Sequence, residues 1–177
     1  MFERTQGTVH EEPVWCPSPE RALHGMLYRP AGEAEGPGLV IAAPDGEERV
    51  WALRALVRSA RGLAAAGCTV LRFDYRGQGE SPGEYDETTF ETLIEDLSSA
   101  CGWLQQRTGV APALLGVRLG ATVALLAAGV GLVVRSLVLW EPVMDTAAYL
   151  NMLLRMNMSM QMVAHGKVLR ERQDLIA

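Results

Sequence analysis

Hydrophobic positions change their period several times along the chain, and each change marks a predicted element. Residues 8–15 and 23–28 are rich in β-forming types and lie close enough in sequence to form an antiparallel hairpin. The run GLVIAA at 38–43 is continuously apolar, as expected of a strand that is buried on both faces. Further strands are predicted at 68–73, 113–116 and 136–140.

The segments between these strands place apolar residues at helical spacing. Helices are predicted at 49–66, 88–106 and 119–128. Gly67 is a natural stop for the first helix, and Glu91 lies where a capping box needs its acceptor in the second. Because strand and helix alternate from residue 38 onward, the pattern predicts a parallel sheet with helices on both faces, a three-layer α/β fold.

Polar or glycine-rich stretches follow four of the predicted strands. They are PDGEER (44–49), DYRGQGESPG (74–83), RLG (118–120) and EPVMD (141–145). The carboxyl ends of parallel strands meet at one edge of a sheet, and the ligand sites of open α/β sheets lie there. We therefore expect these four stretches to converge on one rim.

Composition narrows the classes of protein. The 177 residues carry a formal net charge of −5 and are 49% hydrophobic, which is typical of one globular domain and not of a basic nucleic-acid binder. Three cysteines, Cys16, Cys68 and Cys101, lack metal-ligand spacing, so we expect reduced thiols in the cytoplasm, no metal and no cofactor. The polar residues 1–12 do not form a signal peptide pattern.

The run at 119–134 carries no charge, which raises the question of a membrane span. It is shorter than the roughly 17–25 residues that a spanning helix needs. Gly129 and Gly131 also divide it, and arginines flank it at 118 and 135. The run therefore favours a buried helix followed by a buried strand, and no membrane span is expected.

Taken in order, these motifs resemble the α/β-hydrolase superfamily. The antiparallel start, the loop after the third strand, DYRGQGES after the fourth and G-x-x-x-G after the fifth carry the resemblance. The pattern D-x-R-G-x-G-x-S of its serine-aminopeptidase-like members is matched by Asp74, Arg76, Gly77, Gly79 and Ser81. The resemblance implies a strand order of 1-2-4-3-5-6, with the first hairpin antiparallel and the remaining strands parallel.

A narrower group is similar to four stretches of the chain. PDGEE (44–48), EDLSSACGWL (95–104), GVRLGATVAL (116–125) and LWEPVMD (139–145) resemble the hydrolase 2 group associated with exosortase A systems. The resemblance spans about residues 20 to 165 and implies a setting beside surface-polysaccharide machinery. It also implies one incomplete domain over 1–177 without strands 7 and 8, in which 145–177 begins a cap or C-terminal helical segment. A truncated chain and a sheet completed by another chain both remain open.

The nucleophile position is the point at which the chain departs from an active hydrolase. Gly116 and Gly120 enclose Arg118 where the elbow G-x-S-x-G has serine, and the exosortase-associated group is similar in carrying arginine there. Arginine stays protonated and offers donors only, so it cannot attack a carbonyl. The chain has three histidines, His10, His24 and His165. None follows a seventh or eighth strand, as the order Ser, Asp, His requires, so we expect no serine triad and no catalytic residue in this chain.

An arginine at a helix start can bind an anion, and the resemblance implies oxyanion-type backbone donors at Leu119 and Gly46. A cation is unfavourable beside the positive end of a helix, so something negative must offset Arg118. The carboxylates expected on the rim are Asp45, Glu47, Glu48, Glu141 and Asp145. Two hypotheses stay open: an internal salt bridge, or a site for a small anionic ligand formed by Arg118 with Asp45, Glu47, Glu48 and Glu141.

Ser81, Cys101 and the methionine-rich segment 149–163 are each predicted to have a structural role. Ser81 is predicted as a turn serine, because it lies in the glycine- and proline-containing stretch GESPG. Cys101 is predicted as a core cysteine, because it falls on the apolar stripe of the second helix. The methionine-rich segment 149–163 favours a core helix, with a cap or dimer contact as the alternative. Because an exposed apolar strand edge pairs or aggregates, we expect a homodimer through 136–163.

The sequence therefore leaves two classes of function. In the first, the chain is a non-catalytic hydrolase-family protein with a ligand-binding or regulatory role. In the second, it is the N-terminal part of an active ester, thioester or peptide hydrolase whose acid and histidine lie in further sequence.

Overall fold

Six strands form one sheet in the computed structural model, which describes residues 9–19, 21–31 and 36–176. They are β1 (His10–Cys16), β2 (Leu23–Arg29), β3 (Gly38–Ala42), β4 (Thr69–Phe73), β5 (Ala113–Val117) and β6 (Ser136–Trp140). Their order is β1-β2-β4-β3-β5-β6. This confirms the predicted order. Thr8, the first residue of the predicted strand 8–15, lies outside the described residues.

The pairing within the sheet is mixed. β1 pairs antiparallel with β2, and β2 pairs antiparallel with β4. β4, β3, β5 and β6 run parallel to one another, with Ile41 of β3 opposite Leu115 of β5 and Leu115 opposite Val138 of β6. β5 therefore lies between β3 and β6, so the turn at its carboxyl end is flanked by the ends of both neighbours.

Three long helices connect the strands: α1 (Gly46–Ala65), α2 (Phe90–Thr108) and α3 (Leu119–Gly129). α1 begins three residues before the predicted start, because Gly46, Glu47 and Glu48 are helical although they contribute no apolar periodicity. Gly67 ends α1 as predicted. Its φ of 99° allows the Gly67 and Cys68 N–H groups to reach the carbonyls of Ala64 and Leu63 at 2.9 and 3.0 Å.

The capping box of α2 differs from the predicted one. Thr89 is the N-cap, and its hydroxyl accepts from the Thr92 N–H at 3.2 Å while the Thr92 hydroxyl accepts from the Thr89 N–H at 2.9 Å. Glu91 was wrong as the acceptor, because two consecutive threonines offer two registers and the helix uses the second. A short 3₁₀ helix at Tyr85–Glu87, which the sequence pattern did not predict, precedes it.

Helices cover both faces of the sheet, and each face has its own core. The α1 face is packed around Tyr28, Ile41, Leu56, Val70 and Val117. The opposite face, covered by α2 and α3, is packed around Leu71, Phe73, Leu97, Leu104, Leu114 and Val123. The result is the three-layer α/β arrangement that the alternation of strand and helix predicts.

The chain divides into two compact units. The first unit, Met1–Pro142, contains the sheet and α1 to α3. The second unit, Val143–Ala177, contains α4 (Thr146–His165) and α5 (Arg172–Ile176). The Asp145 carboxylate caps α4 by accepting from the Ala148 N–H at 2.8 Å, and Gly166 ends the helix at a φ of 69°. The side-chain oxygen Oε1 of Gln161 accepts hydrogen bonds from the N–H groups of Leu169 and Arg170, which follow α4 in the sequence. Among the residues that the structure describes, no helix is both long and apolar enough to cross a bilayer.

Candidate functional site

The turn from β5 into α3 is a tight elbow with Arg118 at its corner. Arg118 has a φ of 55° and a ψ of −122°, a backbone conformation that residues other than glycine rarely adopt. Its N–H donates to the carbonyl of Trp140 at the end of β6, at 3.0 Å. Its carbonyl accepts from the Ala121 N–H at 3.0 Å, which begins the helix. The elbow thus presents the Arg118 side chain at the carboxyl ends of the parallel strands.

This turn requires glycine at positions 116 and 120, because neither position has room for a side chain. A Cβ on Gly116 would strike the Ala121 Cα and lie 2.8 Å from the carbonyl oxygen of Gly120. A Cβ on Gly120 would strike the carbonyl oxygens of Ala42 and Ala43. The two glycines therefore let α3 start directly against β5 and the end of β3.

The Arg118 guanidinium contacts two carboxylates. Its Nη2 and Nε lie 3.0 and 3.2 Å from Glu48 Oε1, and Nη1 lies 3.4 Å from Glu141 Oε1. Glu48 is in the first turn of α1, and Glu141 follows β6 directly. Three of the four polar stretches at the rim therefore meet at this arginine.

The two carboxylates are not equivalent. The Glu48 side chain is 15% exposed and that of Glu141 is 71% exposed, while Arg118 is 26% exposed. Removing one partner of a partly buried ion pair costs more than removing one partner of an exposed pair, because the remaining charge is left poorly solvated. Glu48 is thus the enclosed partner of Arg118, and Glu141 is its solvent-exposed partner.

The other rim carboxylates have different positions. Asp45 accepts hydrogen bonds from Gln78 Nε2 at 2.6 Å and from the Tyr85 hydroxyl at 2.7 Å. Glu47 forms no ion pair with Arg118 in the described part of the chain. Asp145 caps α4. Nothing in the sequence pattern pointed to Gln78 or Tyr85, because a hydrogen bond across loops leaves no periodic signal.

The loop after β4 is held by a buried charge cluster around Asp74. The Asp74 carboxylate lies 2.5 Å from Arg49 Nη2, 3.6 Å from Arg72 Nη1 and 3.4 Å from His24 Nδ1. Arg49 comes one residue after Glu48, so the first turn of α1 contacts Arg118 with one side chain and Asp74 with the next. This connection between the two loops was not predicted.

A second buried cluster fixes the middle of the same loop. Arg76 donates from Nε and Nη2 to Asp96 Oδ1 at 3.0 and 2.7 Å, and from Nη2 to Glu95 at 2.5 Å. The hydrogen bonds that Arg76 donates to the Asp96 carboxylate, more than any other cause, raise the pKa of Arg76. Gly77 and Gly79 have φ values of 69° and 55°, and a Cβ on either would strike neighbouring atoms of the loop. This D-x-R-G-x-G-x-S stretch serves the architecture of the rim.

Ser81 and Cys101 do not have the surroundings of nucleophiles. The Ser81 hydroxyl donates to the Asp74 carbonyl at 2.6 Å and accepts from the His24 N–H at 2.9 Å. The hydroxyl is therefore engaged in hydrogen bonds that hold the loop. Cys101 is buried, and this burial raises the pKa of its thiol to about 12, so the thiolate is scarce at neutral pH.

Neither histidine of the first unit lies at the elbow. His10 is in β1, at the opposite edge of the sheet, and His24 is in β2, where it contacts Asp74 and the ring of Trp15. His165 ends α4 in the second unit. Within residues 9–19, 21–31 and 36–176, no group of three or more His, Cys, Asp or Glu side chains has the spacing of a metal site.

The strand order, the elbow between β5 and α3 and the helices on both faces define an α/β hydrolase fold. Esterase Pf2001 of Pyrococcus furiosus has a TM-score of 0.62 at 20% identity, covering 81% of this chain and 54% of that one. An acetyl xylan esterase from Paenibacillus sp. R4 gives 0.62 at 18%, covering 86% and 55%. An esterase from Pyrobaculum calidifontis gives 0.56 at 23%, covering 75% and 45%. Similarity at these identities concerns the fold alone.

The chain belongs to the serine aminopeptidase S33 family, which matches residues 49–173. The uncharacterized protein Rv2307c of Mycobacterium tuberculosis is 33% identical over 105 residues, which are 58% of this chain and 35% of that protein. The chain thus spans about a third of the length of this relative and about half of the length of the esterases.

Proposed function

We propose that this chain is a non-catalytic member of the S33 family whose Arg118 receives the anionic group of a small ligand. The observation that supports this most directly is the elbow itself. It keeps the backbone turn that displays a nucleophile, yet it displays a guanidinium held by Glu48 and Glu141. A guanidinium is a donor that matches carboxylate and phosphate groups in a bidentate manner.

The charges of the site determine how a ligand would bind. Glu48 and Glu141 together carry one more negative charge than Arg118 neutralises, so an anion cannot simply join them. It must take the place of Glu141, whose side chain is 71% exposed and contacts Arg118 at 3.4 Å. Glu48 would keep the guanidinium oriented during the exchange. Leu119 and Gly46, as first residues of α3 and α1, would supply N–H groups that have no intrahelical acceptor.

The proposal extends to the setting of the protein. A receptor for an anionic group without a nucleophile suits a regulatory role better than turnover. The resemblance of residues 116–125 and 139–145 to the exosortase-associated hydrolase 2 group supports a proposed setting beside surface-polysaccharide machinery. We further propose a cytoplasmic location and a single hydrolase domain in which 145–177 is the beginning of a cap.

Calorimetric titration with inorganic phosphate and with acetate tests the ligand site. We expect saturable binding that Arg118→Gln abolishes. Glu141→Gln should tighten binding by up to about fivefold, because an exposed ion pair worth up to about 1 kcal/mol no longer competes. Glu47→Gln is the matched control, since it removes the same charge from the same rim without removing a partner of Arg118, and it should leave the affinity within about twofold.

Two results would contradict the proposal. If neither anion binds the folded protein, Arg118 serves only as an internal ion pair that fills the pocket. Labelling of the chain by a fluorophosphonate probe, or turnover of a nitrophenyl ester, would show a nucleophile that the elbow does not display.

A second candidate is that the chain forms the N-terminal part of an active hydrolase acting by a non-serine route. The preserved elbow supports it, as does the match to only 45–55% of three esterase chains. The test is the esterase activity of a longer polypeptide that includes the downstream sequence. Activity that survives in the longer protein but is lost with Arg118→Ala would favour this function over the first.

A further inference from the structure

The first turn of α1 lacks the cap that its sequence offers. Asp45 occupies the N-cap position with a φ of −98° and a ψ of 159°, the extended backbone that capping residues adopt. Its carboxylate nevertheless accepts no hydrogen bond from α1. The Glu47 N–H, to which a capping carboxylate would bind, has no acceptor among the residues that the structure describes. α1 therefore starts with N–H donors that are open to another acceptor.

A second N-cap aspartate in the same chain does cap its helix. Asp145 precedes α4 with a φ of −115° and a ψ of 93°, and its carboxylate accepts from the Ala148 N–H at 2.8 Å. Both aspartates have extended backbone and lie directly before a helix of 20 residues. Because the backbone of Asp45 is already extended, rotation of its side chain is the only change that capping α1 requires.

Two side chains of the loop after β4 hold the Asp45 carboxylate instead. Gln78 Nε2 donates to Oδ1 at 2.6 Å, and the Tyr85 hydroxyl donates to Oδ2 at 2.7 Å. An ionised carboxylate only accepts, so the nitrogen of the Gln78 amide must face it. This orientation leaves Oε1 of Gln78 buried without a hydrogen-bond partner in the described part of the chain, on a residue that is 7% exposed.

The arrangement lowers stability in two ways. A capping aspartate that does not cap forgoes the stabilisation of its helix, and a buried acceptor without a donor costs free energy. Such departures from local rules are expected at functional sites, where another requirement outweighs stability. Both departures lie at the start of α1, the end of the helix from which Gly46 would donate to the ligand.

We propose that Tyr85 and Gln78 are positioning residues that hold the Asp45 carboxylate away from the start of α1. The N–H groups of Gly46 and Glu47 then stay available to the anionic group that Arg118 receives, so this inference rests on the proposed function. If Asp45 capped α1, its carboxylate would occupy the Glu47 N–H and repel an anion at the same helix end. The loop after β4 thereby controls the affinity of a site at the end of β5.

Titration of ¹⁵N-labelled residues 1–177 with acetate, followed through the Gly46 amide signal, tests the proposal. Tyr85→Phe removes one of the two donors and should weaken binding by about threefold. Tyr85→Phe combined with Gln78→Met removes both donors and should weaken it by about tenfold. Tyr75→Phe is the matched control, because it removes a hydroxyl of the same loop that has no partner among the described residues. It should leave the affinity within about twofold.

Asp45→Ala separates positioning from a general effect on the fold. Added to the variant that lacks both donors, it should restore the affinity to at least that of wild type, since no carboxylate remains to cap α1. Loss of structure in the loop would persist without Asp45. If Gln78→Met prevents folding, Tyr85→Phe with and without Asp45→Ala gives the same comparison with a smaller change.

Hydrogen exchange gives a reading that needs no ligand. In the variant that lacks both donors, the Glu47 amide should exchange about fivefold more slowly, the factor that corresponds to a typical N-cap. Tyr75→Phe should leave its exchange unchanged.

The failure of this inference differs from the failure of the proposed function. If wild type binds no acetate, the proposed function is contradicted, and this inference with it. If wild type binds acetate and the loss of both donors changes neither the affinity nor the exchange of Glu47, only the positioning role is overturned. A weakened affinity that Asp45→Ala does not restore would also overturn it.

Discussion

Arg118 and Glu141 face each other from the ends of two adjacent strands, with Nη1 of the arginine 3.4 Å from Oε1 of the glutamate. Both have positive φ, 55° and 52°, and no other non-glycine residue in the described part of the chain shares that conformation. Such backbone conformations cost of order 1–3 kcal/mol and are concentrated at functional sites. The ion pair thus joins two turns of strained backbone at the rim, which supports the ligand site proposed for Arg118.

The two partners of Arg118 should differ in their effect on stability. We expect Glu48→Gln to lower the free energy of unfolding by about 1–3 kcal/mol, because its carboxylate is 15% exposed and its loss leaves the arginine without its closest partner. Glu141→Gln should cost about 0.5 kcal/mol or less. Urea unfolding measures both, with Glu47→Gln as the control. A larger loss for Glu141 than for Glu48 would contradict this difference between the enclosed and the exposed partner.

Placing serine at position 118 should not produce hydrolytic activity. Arg118→Ser recreates the side chain that an active elbow carries, yet the histidines of the first unit lie in β1 and β2, and His24 is held by Asp74. Without a base at the elbow the hydroxyl stays a weak nucleophile. We expect no turnover of nitrophenyl acetate above that of Arg118→Ala, the matched control. Turnover by the serine variant of residues 1–177 would disprove this account of the site.

The elbow glycines should tolerate no side chain. Gly116→Ala and Gly120→Ala each bring a Cβ into backbone atoms that cannot move aside, so we expect losses above about 3 kcal/mol or failure to fold. Gly102→Ala in α2 is the control, because a Cβ there meets no atom within 4 Å. That change should stabilise the protein by up to about 1 kcal/mol. Thermal unfolding of the three variants checks the contrast.

The sequence alone predicted the layers of this fold well, because apolar periodicity is a local signal that survives without knowledge of partners. It placed every strand and ended α1 at Gly67. It failed where two local solutions compete, as with Thr88 and Thr89 at the start of α2. It also missed the 3₁₀ helix at Tyr85–Glu87, which has no apolar stripe.

The site was predictable in outline only. Strand ends in a parallel sheet converge, so the expectation that carboxylates surround Arg118 followed from the order of elements. Which carboxylates reach it depends on the rotation of α1 about its axis. That rotation turns Glu48 to Arg118 and Arg49 to Asp74, while Asp45 remains outside the helix and binds Gln78. Helix rotation is set by packing of Leu56 and Ala60 on the sheet, which the sequence does not reveal in advance.

The buried cysteines should make stability depend on pH in the alkaline range. Burial raises the pKa of Cys16 and of Cys101 to about 12, above the ordinary value of 9.0. A group whose pKa is raised in the folded state contributes stability that is complete below the unfolded pKa. That contribution is lost as pH rises from about 9 to 12. The free energy of unfolding should therefore fall across this range, by up to about 1.4 kcal/mol per pH unit for each thiol.

The experiment that isolates this effect is urea unfolding of wild type and of Cys101→Ala at several pH values between 8 and 11. The variant loses some core packing at every pH, but its decline with pH should be shallower, because one raised thiol is gone. Val123→Ala is the control, since it also removes core packing but removes no thiol. Iodoacetamide at pH 8 gives an independent reading: it should modify Cys68 in the native protein and leave Cys101 unmodified until the chain unfolds. Rapid native modification of Cys101 would mean that its thiolate is accessible, and its assignment to the core would then be wrong.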